Sequence, residues 1–376
     1  MNIKSNIWVK ILVSFILTIV VLVCSFNYVV DPYGLYKTNF FDSKPKQAVH
    51  SRLAKLFEVR EQKPISIVIG TSRADMAIDP EHEYFVKPSY NLSNAGLSIY
   101  EAKYYIKEAI KLGVKNILFV ADWRMFNDTI KKSSDFETYF KDYNKYKFLL
   151  NYKTLEDSFY TIKNQTIKNM YFKNGLLNDS HMIAYVDNVG GHLALMKKEE
   201  KFYYKFISAN NNFYKGTNLN SFNDFKEILE MCYKNNIKLD IIFGPSHIRQ
   251  WEAFAYYNQY ETFLKWKKDV VLNVERVALE QHKKPFRIVD FSVYHKLTAE
   301  EVPVDPKIKM KYHFEGSHYK KSLGNIVLDR LLDKSEYKDF GVIINSENID
   351  SHLEKLRNDR IKFIDTKEYI KEVFGE

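Results

Sequence analysis

The chain has 376 residues and carries 56 lysines and arginines against 47 aspartates and glutamates, a formal net charge of +9. Two cysteines in the whole sequence, one of them inside an apolar run, exclude a disulfide framework and a cysteine-based metal site in the body of the protein. The basic residues are spread rather than clustered, which excludes a nucleic-acid surface; they fit attraction to anionic headgroups or polymers, or simply a lysine- and asparagine-rich composition.

Residues 11–30 contain no charged side chain. About 20 apolar residues suffice to cross the hydrocarbon core of a bilayer, and a buried core helix rarely stays apolar on every side at that length. The pattern predicts a transmembrane anchor over 11–30. Lys4, Lys10 and the terminal amine precede it, so residues 1–10 are expected in the cytoplasm and the body outside it, periplasmic or extracellular. Lys37, Lys44 and Lys46 weaken that bias. A cleaved signal peptide would have a shorter apolar region and small residues before the cut. Val23 is too large for a lipoprotein cleavage site ahead of Cys24, so an uncleaved anchor fits best.

Past the anchor, Asp31-Pro32-Tyr33-Gly34 reads as a turn. Ile65-Ser66-Ile67-Val68-Ile69 reads as a buried strand ending at Gly70. Residues 101–112 have helical spacing, stopped by Gly113, and a second strand follows over 116–120. The alternation stops between residues 131 and 220, a stretch rich in Tyr, Phe, Lys and Asn that reads as a largely helical insertion, a lid or an acceptor-binding element. It resumes with a helix over 225–233, a strand over 238–243, a helix over 261–282 and a strand over 286–290. Residues 326–332 continue a helix, and the tail, 340–374, holds one further strand–helix pair. Strands alternating with helices imply an α/β domain over 31–376 with a mostly parallel sheet. Ligands bind such sheets beyond the carboxyl ends of the strands.

Three segments could carry chemistry there. In Gly70-Thr71-Ser72-Arg73 a strand runs through a glycine turn into a serine. That hydroxyl could attack a carbonyl while the Ser72 N–H binds the developing oxyanion; an ordinary helix cap is the plainer reading. In Asn94-Ala95-Gly96, the glycine would let a backbone N–H approach a substrate closely, or simply make a turn. In Glu315-Gly316-Ser317-His318, an acid three residues before a histidine could orient the imidazole, which could then deprotonate a serine. A capping acid beside a surface histidine is the plainer reading here. Ser246 with His247 offers a competing pair, assigned to the rim of the pocket. His181, His192 and His295 have no carboxylate at suitable spacing, and neither a metal-ligand pattern nor a phosphate loop stands out.

The chain order Ser, acid, His is common for acyl transfer on α/β sheets. Taken together, the three segments resemble the SGNH (GDSL-like) hydrolase-fold family, in the membrane-anchored subgroup associated with membrane-bound O-acyltransferases. Gly70-Thr71-Ser72 resembles its first block, Asn94-Ala95-Gly96 its second and Glu315-Gly316-Ser317-His318 its last. Phe243-Gly244-Pro245 and Val289-Asp290-Phe291-Ser292 also look like features of the subgroup. The resemblance implies a three-layer α/β/α sandwich of SGNH, flavodoxin-like type. It also implies Ser72 as nucleophile, His318 as general base, Glu315 as acid, and the N–H groups of Ser72 and Gly96 as oxyanion donors. Two departures stand out. The family has Asp where Glu315 stands, and its third block supplies an asparagine soon after a strand. Here Asn127 has that chemistry but lies further along, whereas Asp122, nearer the strand end, would repel an oxyanion.

The function implied is that of a cell-envelope serine esterase or O-acyltransferase, commonly for acetyl groups, acting on a surface polysaccharide or other glycan. It requires no metal or organic cofactor and implies a membrane-bound O-acyltransferase as partner. The alternative is a non-catalytic glycan-binding or assembly factor that keeps the fold.

Overall fold

The computed structural model describes residues 3–126, 136–141, 144–202, 204 and 212–376. In chain order its elements are α1 (Ile3–Val30), α2 (Ser51–Gln62), β1 (Ser66–Ile69), α3 (Ser72–Ala77), β2 (Ser89–Asn91), α4 (Ile99–Lys111) and β3 (Asn116–Ala121). There follow α5 (Thr138–Lys141), α6 (Tyr152–Lys163), α7 (Ser180–Val189), α8 (His192–Phe202), α9 (Ser221–Lys234) and β4 (Lys238–Phe243). The last are α10 (Ile248–Tyr256), α11 (Tyr260–Glu280), β5 (Arg287–Asp290), α12 (Lys321–Leu331), β6 (Val342–Ile343), α13 (Ile349–Phe363) and α14 (Thr366–Phe374). The protein is mixed α/β and divides into two compact units: Met1–Glu58 with Glu137–Phe172, and Val59–Phe136 with Lys173–Glu376. The segment 131–220 is therefore shared between the units, and its described residues form α5 to α8.

In the first unit, Asn6–Val30 of α1 is 25 residues long and apolar enough to cross a membrane. At 1.5 Å rise it spans about 37 Å, more than the roughly 30 Å of a hydrocarbon core. Among the described residues the helix is already formed at Ile3, ahead of residue 11, because helical geometry does not end where the apolar run does. The turn after it is fixed by Asp31, whose carboxylate accepts the N–H groups of Leu35 (2.7 Å) and Tyr36 (3.1 Å). Tyr33 and Leu35 then pack with Leu53, Ala54 and Phe57.

The second unit is organised by one six-stranded sheet among the described residues, in the order β2-β1-β3-β4-β5-β6. Every pairing is parallel except β5 with β6. The strands align Ile69 with Phe119, Phe119 with Ile241 and Ile241 with Ile288. These four side chains are buried, which accounts for continuous β-branched runs in place of alternation. β2 was not expected, since Ser89-Tyr90-Asn91 is a three-residue edge strand without an apolar run. A capping box starts α4: the Ser98 hydroxyl accepts the Glu101 N–H (3.2 Å), and the Glu101 carboxylate accepts the Ser98 N–H (3.1 Å). It also fixes the end of the loop that carries Gly96.

Candidate active site

The first strand delivers Ser72. Gly70 is required there by close approach, since a Cβ on it would lie 2.8 Å from the Ala74 Cβ and 3.0 Å from the Val120 carbonyl oxygen. The chain then turns into α3 with Ser72 as its first residue. First-turn N–H groups have no partner inside a helix, and the Ser72 N–H has none among the described residues. The carboxyl end of α3 is held by Asn91, whose side-chain amide donates to the carbonyls of Ala74 (2.9 Å) and Ile78 (2.8 Å).

Across 246 residues of sequence, the Ser72 hydroxyl meets His318 Nε2 at 2.7 Å. The other imidazole nitrogen, Nδ1, bonds Glu315 Oε1. The extra methylene of glutamate is taken up by folding the side chain back over its own loop. Oε1 also accepts the His318 N–H (2.7 Å), and Oε2 accepts the Ser317 N–H (2.7 Å). Burial alone would push the Glu315 carboxyl up. The charge and hydrogen bond of His318, with the two backbone N–H groups, outweigh it and hold the carboxyl below its ordinary range. Glu315 is buried, whereas the His318 side chain keeps 20% of its surface exposed. A route to the reacting nitrogen therefore stays open.

Around this row lies a second polar network that the sequence did not suggest. Buried Arg73 donates from Nε to the Ser317 carbonyl (3.2 Å) and from Nη2 to the carbonyls of Gly244 (3.3 Å) and Pro245 (3.2 Å) and to the Ser246 hydroxyl. Its Nη1 lies 3.4 Å from Asp122 Oδ1. One guanidinium thus ties the ends of β1, β3 and β4 to the loop that carries His318. Asp122 also accepts the Thr71 hydroxyl at 2.8 Å. Burial alone would push its carboxyl up, but Arg73, Arg124 and Thr71 hold it below the usual range. The Val289-Asp290-Phe291-Ser292 stretch extends the network. Asp290 is buried against Lys267 Nζ (2.7 Å) and His352 Nε2 (2.8 Å), and the Ser292 hydroxyl donates to the Gly244 carbonyl at 3.0 Å.

The remaining candidates are placed as follows. The Asn94 N–H donates to the Gly70 carbonyl at 3.2 Å, so the second block lies against the serine turn. Gly96, two residues on, has φ +61° with nothing within 4 Å of a would-be Cβ, and its N–H has no partner among the described residues. Asn127 lies outside the described residues. Ser246 and His247 are both buried rather than on a rim. Ser246 is bonded to Arg73, while His247 accepts the Arg249 N–H and bonds the Glu300 carbonyl at 2.7 Å. His192 bonds the Phe314 carbonyl at 2.8 Å, which supports the loop of Glu315. Glu199 on α8 carried no sequence signal. It is half-buried, and burial first, then the charge of Glu315, push its carboxyl up. Among the described residues, no group of three His, Cys, Asp or Glu side chains is placed to hold a metal ion. A surface cavity lined by Val274, Phe286, Arg287 and Ile343 lies at the amino end of β5, away from the strand ends that bear Ser72.

In comparisons with known proteins, no family model matches this chain and no curated sequence matches it.

Proposed function

We propose that the protein is a cell-envelope serine esterase or O-acyltransferase of the SGNH type, built as a three-layer α/β/α sandwich and anchored by α1 with its body outside the cytoplasm. The observation that carries the reading is the continuous row of Ser72 Oγ, His318 and Glu315, with 2.7 Å between hydroxyl and Nε2. In the proposed reaction, Ser72 Oγ attacks the acyl carbonyl of an ester donor while His318 Nε2 takes the hydroxyl proton. His318 Nδ1–H stays bonded to Glu315, which stabilises the imidazolium. The oxyanion is received by the free N–H groups of Ser72 and Gly96. The imidazolium then protonates the departing alkoxide. In the second half, His318 takes the proton of a sugar hydroxyl, or of water, as that oxygen attacks the acyl-serine; the acyl–Oγ bond then breaks and the imidazolium returns the proton to Ser72 Oγ. A glycan is the proposed acceptor, and a membrane-bound O-acyltransferase the proposed source of acyl groups at the bilayer.

A membrane anchor, a basic body and the resemblance of three ordered segments support the setting. The test is turnover of p-nitrophenyl acetate by the full chain in detergent micelles, with a panel of oligosaccharides as acceptors and mass spectrometry of the products. We expect p-nitrophenolate release that vanishes in Ser72→Ala, with acetyl appearing on a sugar or as acetate. Ester turnover equal in wild type and Ser72→Ala would sink the enzymatic reading and favour a binding or assembly factor.

A further inference from the structure

Helix α6 is built inside out. Thr154, Asp157, Ser158 and Thr161 recur at intervals of three and four residues on one face, and all four are buried. Tyr152, Leu155, Phe159 and Ile162 recur at the same intervals on the other face. Tyr152 is 82% exposed, Phe159 52% and Ile162 37%. A helix packed on a core in water does the reverse. The inversion is specified by buried partners. Asp157 accepts the Tyr33 hydroxyl at 2.8 Å, and the Ser158 hydroxyl donates to the side chain of buried Asn27 at 2.9 Å. The Asn27 amide in turn donates to the Leu149 carbonyl at 2.8 Å.

The exposed stripe continues onto α1. The Phe159 ring lies 4.9 Å from that of Phe26, in the last two turns of the helix that is long and apolar enough to cross a membrane. The turn before α6 adds Tyr146 and Leu150, 63% and 57% exposed. Lys147 and Lys163 are exposed around the patch, and so is Lys153, which pairs with exposed Glu156 at 2.8 Å. Aromatic side chains interleaved with lysines beside an apolar span are the composition of a headgroup region.

We propose that the segment 144–163 docks on the bilayer, with the Tyr152, Phe159 and Ile162 stripe inserted at the boundary of headgroups and acyl chains where α1 emerges. Lys147 and Lys163 face anionic headgroups. The proposal rests on α1 being embedded, and it gives this segment a membrane role in place of the lid or acceptor-binding role expected for the insertion.

The test uses the full chain with Cys24→Ser, reconstituted in phosphatidylcholine vesicles containing phosphatidylglycerol. The remaining Cys232 is buried. A nitroxide is placed at Tyr152→Cys or Phe159→Cys, with Leu22→Cys on α1 and Leu279→Cys on the exposed face of α11 as references. Relaxation by oxygen, which favours lipid, is compared with relaxation by a nickel chelate, which favours water. We expect oxygen to dominate at 152, 159 and 22, and the chelate at 279. Dominance of the chelate at 152 and 159, or shielding from both agents by a protein partner, would overturn the proposal. A water-like reading at 22 would remove the span and the proposal with it, so the two failures are distinguishable.

Discussion

Replacing Glu315 by Gln tests whether this side chain orients the proposed base. Three N–H donors converge on its two oxygens: those of Ser317 and of the His318 backbone, each at 2.7 Å, and His318 Nδ1. An amide offers one acceptor oxygen and one NH2 group, so at least one donor must face another donor. With its oxygen in the Oε1 position, the imidazole bond survives but the Ser317 N–H is left unpaired, at a cost of about 1–3 kcal/mol of stability. Turned over, the amide presents NH2 to Nδ1 and favours the tautomer protonated at Nε2, which cannot accept a proton from Ser72. In either orientation the imidazolium loses its anionic partner. In serine enzymes the equivalent loss lowers kcat about 10⁴-fold. We expect a fall of about 10³–10⁴ here, equivalent to about 4–5.5 kcal/mol at 1.36 kcal/mol per decade. The assay is the rate of Ser72 acylation by p-nitrophenyl acetate, with a melting curve to show that the variant is folded. Undiminished acylation by folded Glu315→Gln would refute the assignment.

Other consequences follow from the same contacts. Arg73→Gln should cost about 3 kcal/mol by leaving the buried Asp122 carboxylate without its guanidinium, and the double variant Arg73→Gln with Asp122→Asn should cost less than Arg73→Gln alone; thermal unfolding of the full chain in micelles reads both. Gly324→Ala should lower Tm, because the new Cβ would sit 2.0 Å from the Ala77 carbonyl oxygen, an overpacking cost of about 1–3 kcal/mol that exceeds the gain in helix propensity; a rise in Tm would contradict this packing. The Glu315 carboxyl is held below its ordinary value of 4.5. Its contribution to stability is therefore complete above that value and is lost as pH falls through the lower, folded value. The stability gap between wild type and Glu315→Gln should be full at pH 7 and shrink only below about pH 4.5; a gap independent of pH down to acid unfolding would contradict it.

The four inner strands were legible because a strand buried on both faces needs an unbroken apolar run, and each run here ends at a residue that marks the sheet edge. β2 was not legible, since an edge strand of Ser, Tyr and Asn carries no such signal. Ser72, Glu315 and His318 could be found because one sits at a strand–glycine junction and the other two are three residues apart. Arg73 and Asp122 could not be paired, because their partnership spans two strands and nothing local marks it. An arginine directly after a serine at a buried junction was nonetheless a signal, since a guanidinium there needs a carboxylate. The case of α6 is different in kind. Periodicity identifies two faces of a helix but not which of them meets the core, so the outward apolar stripe became visible only with Asn27 and Tyr33 in place.

The most direct measurement is covalent labelling of the full chain with a serine-reactive fluorophosphonate, with the adduct located by mass spectrometry. Ser72→Ala and His318→Ala serve as controls. We expect a single adduct on Ser72, absent from Ser72→Ala and strongly slowed in His318→Ala. A folded protein that forms no adduct, or forms it on another serine, would contradict an activated nucleophile at the end of the first strand.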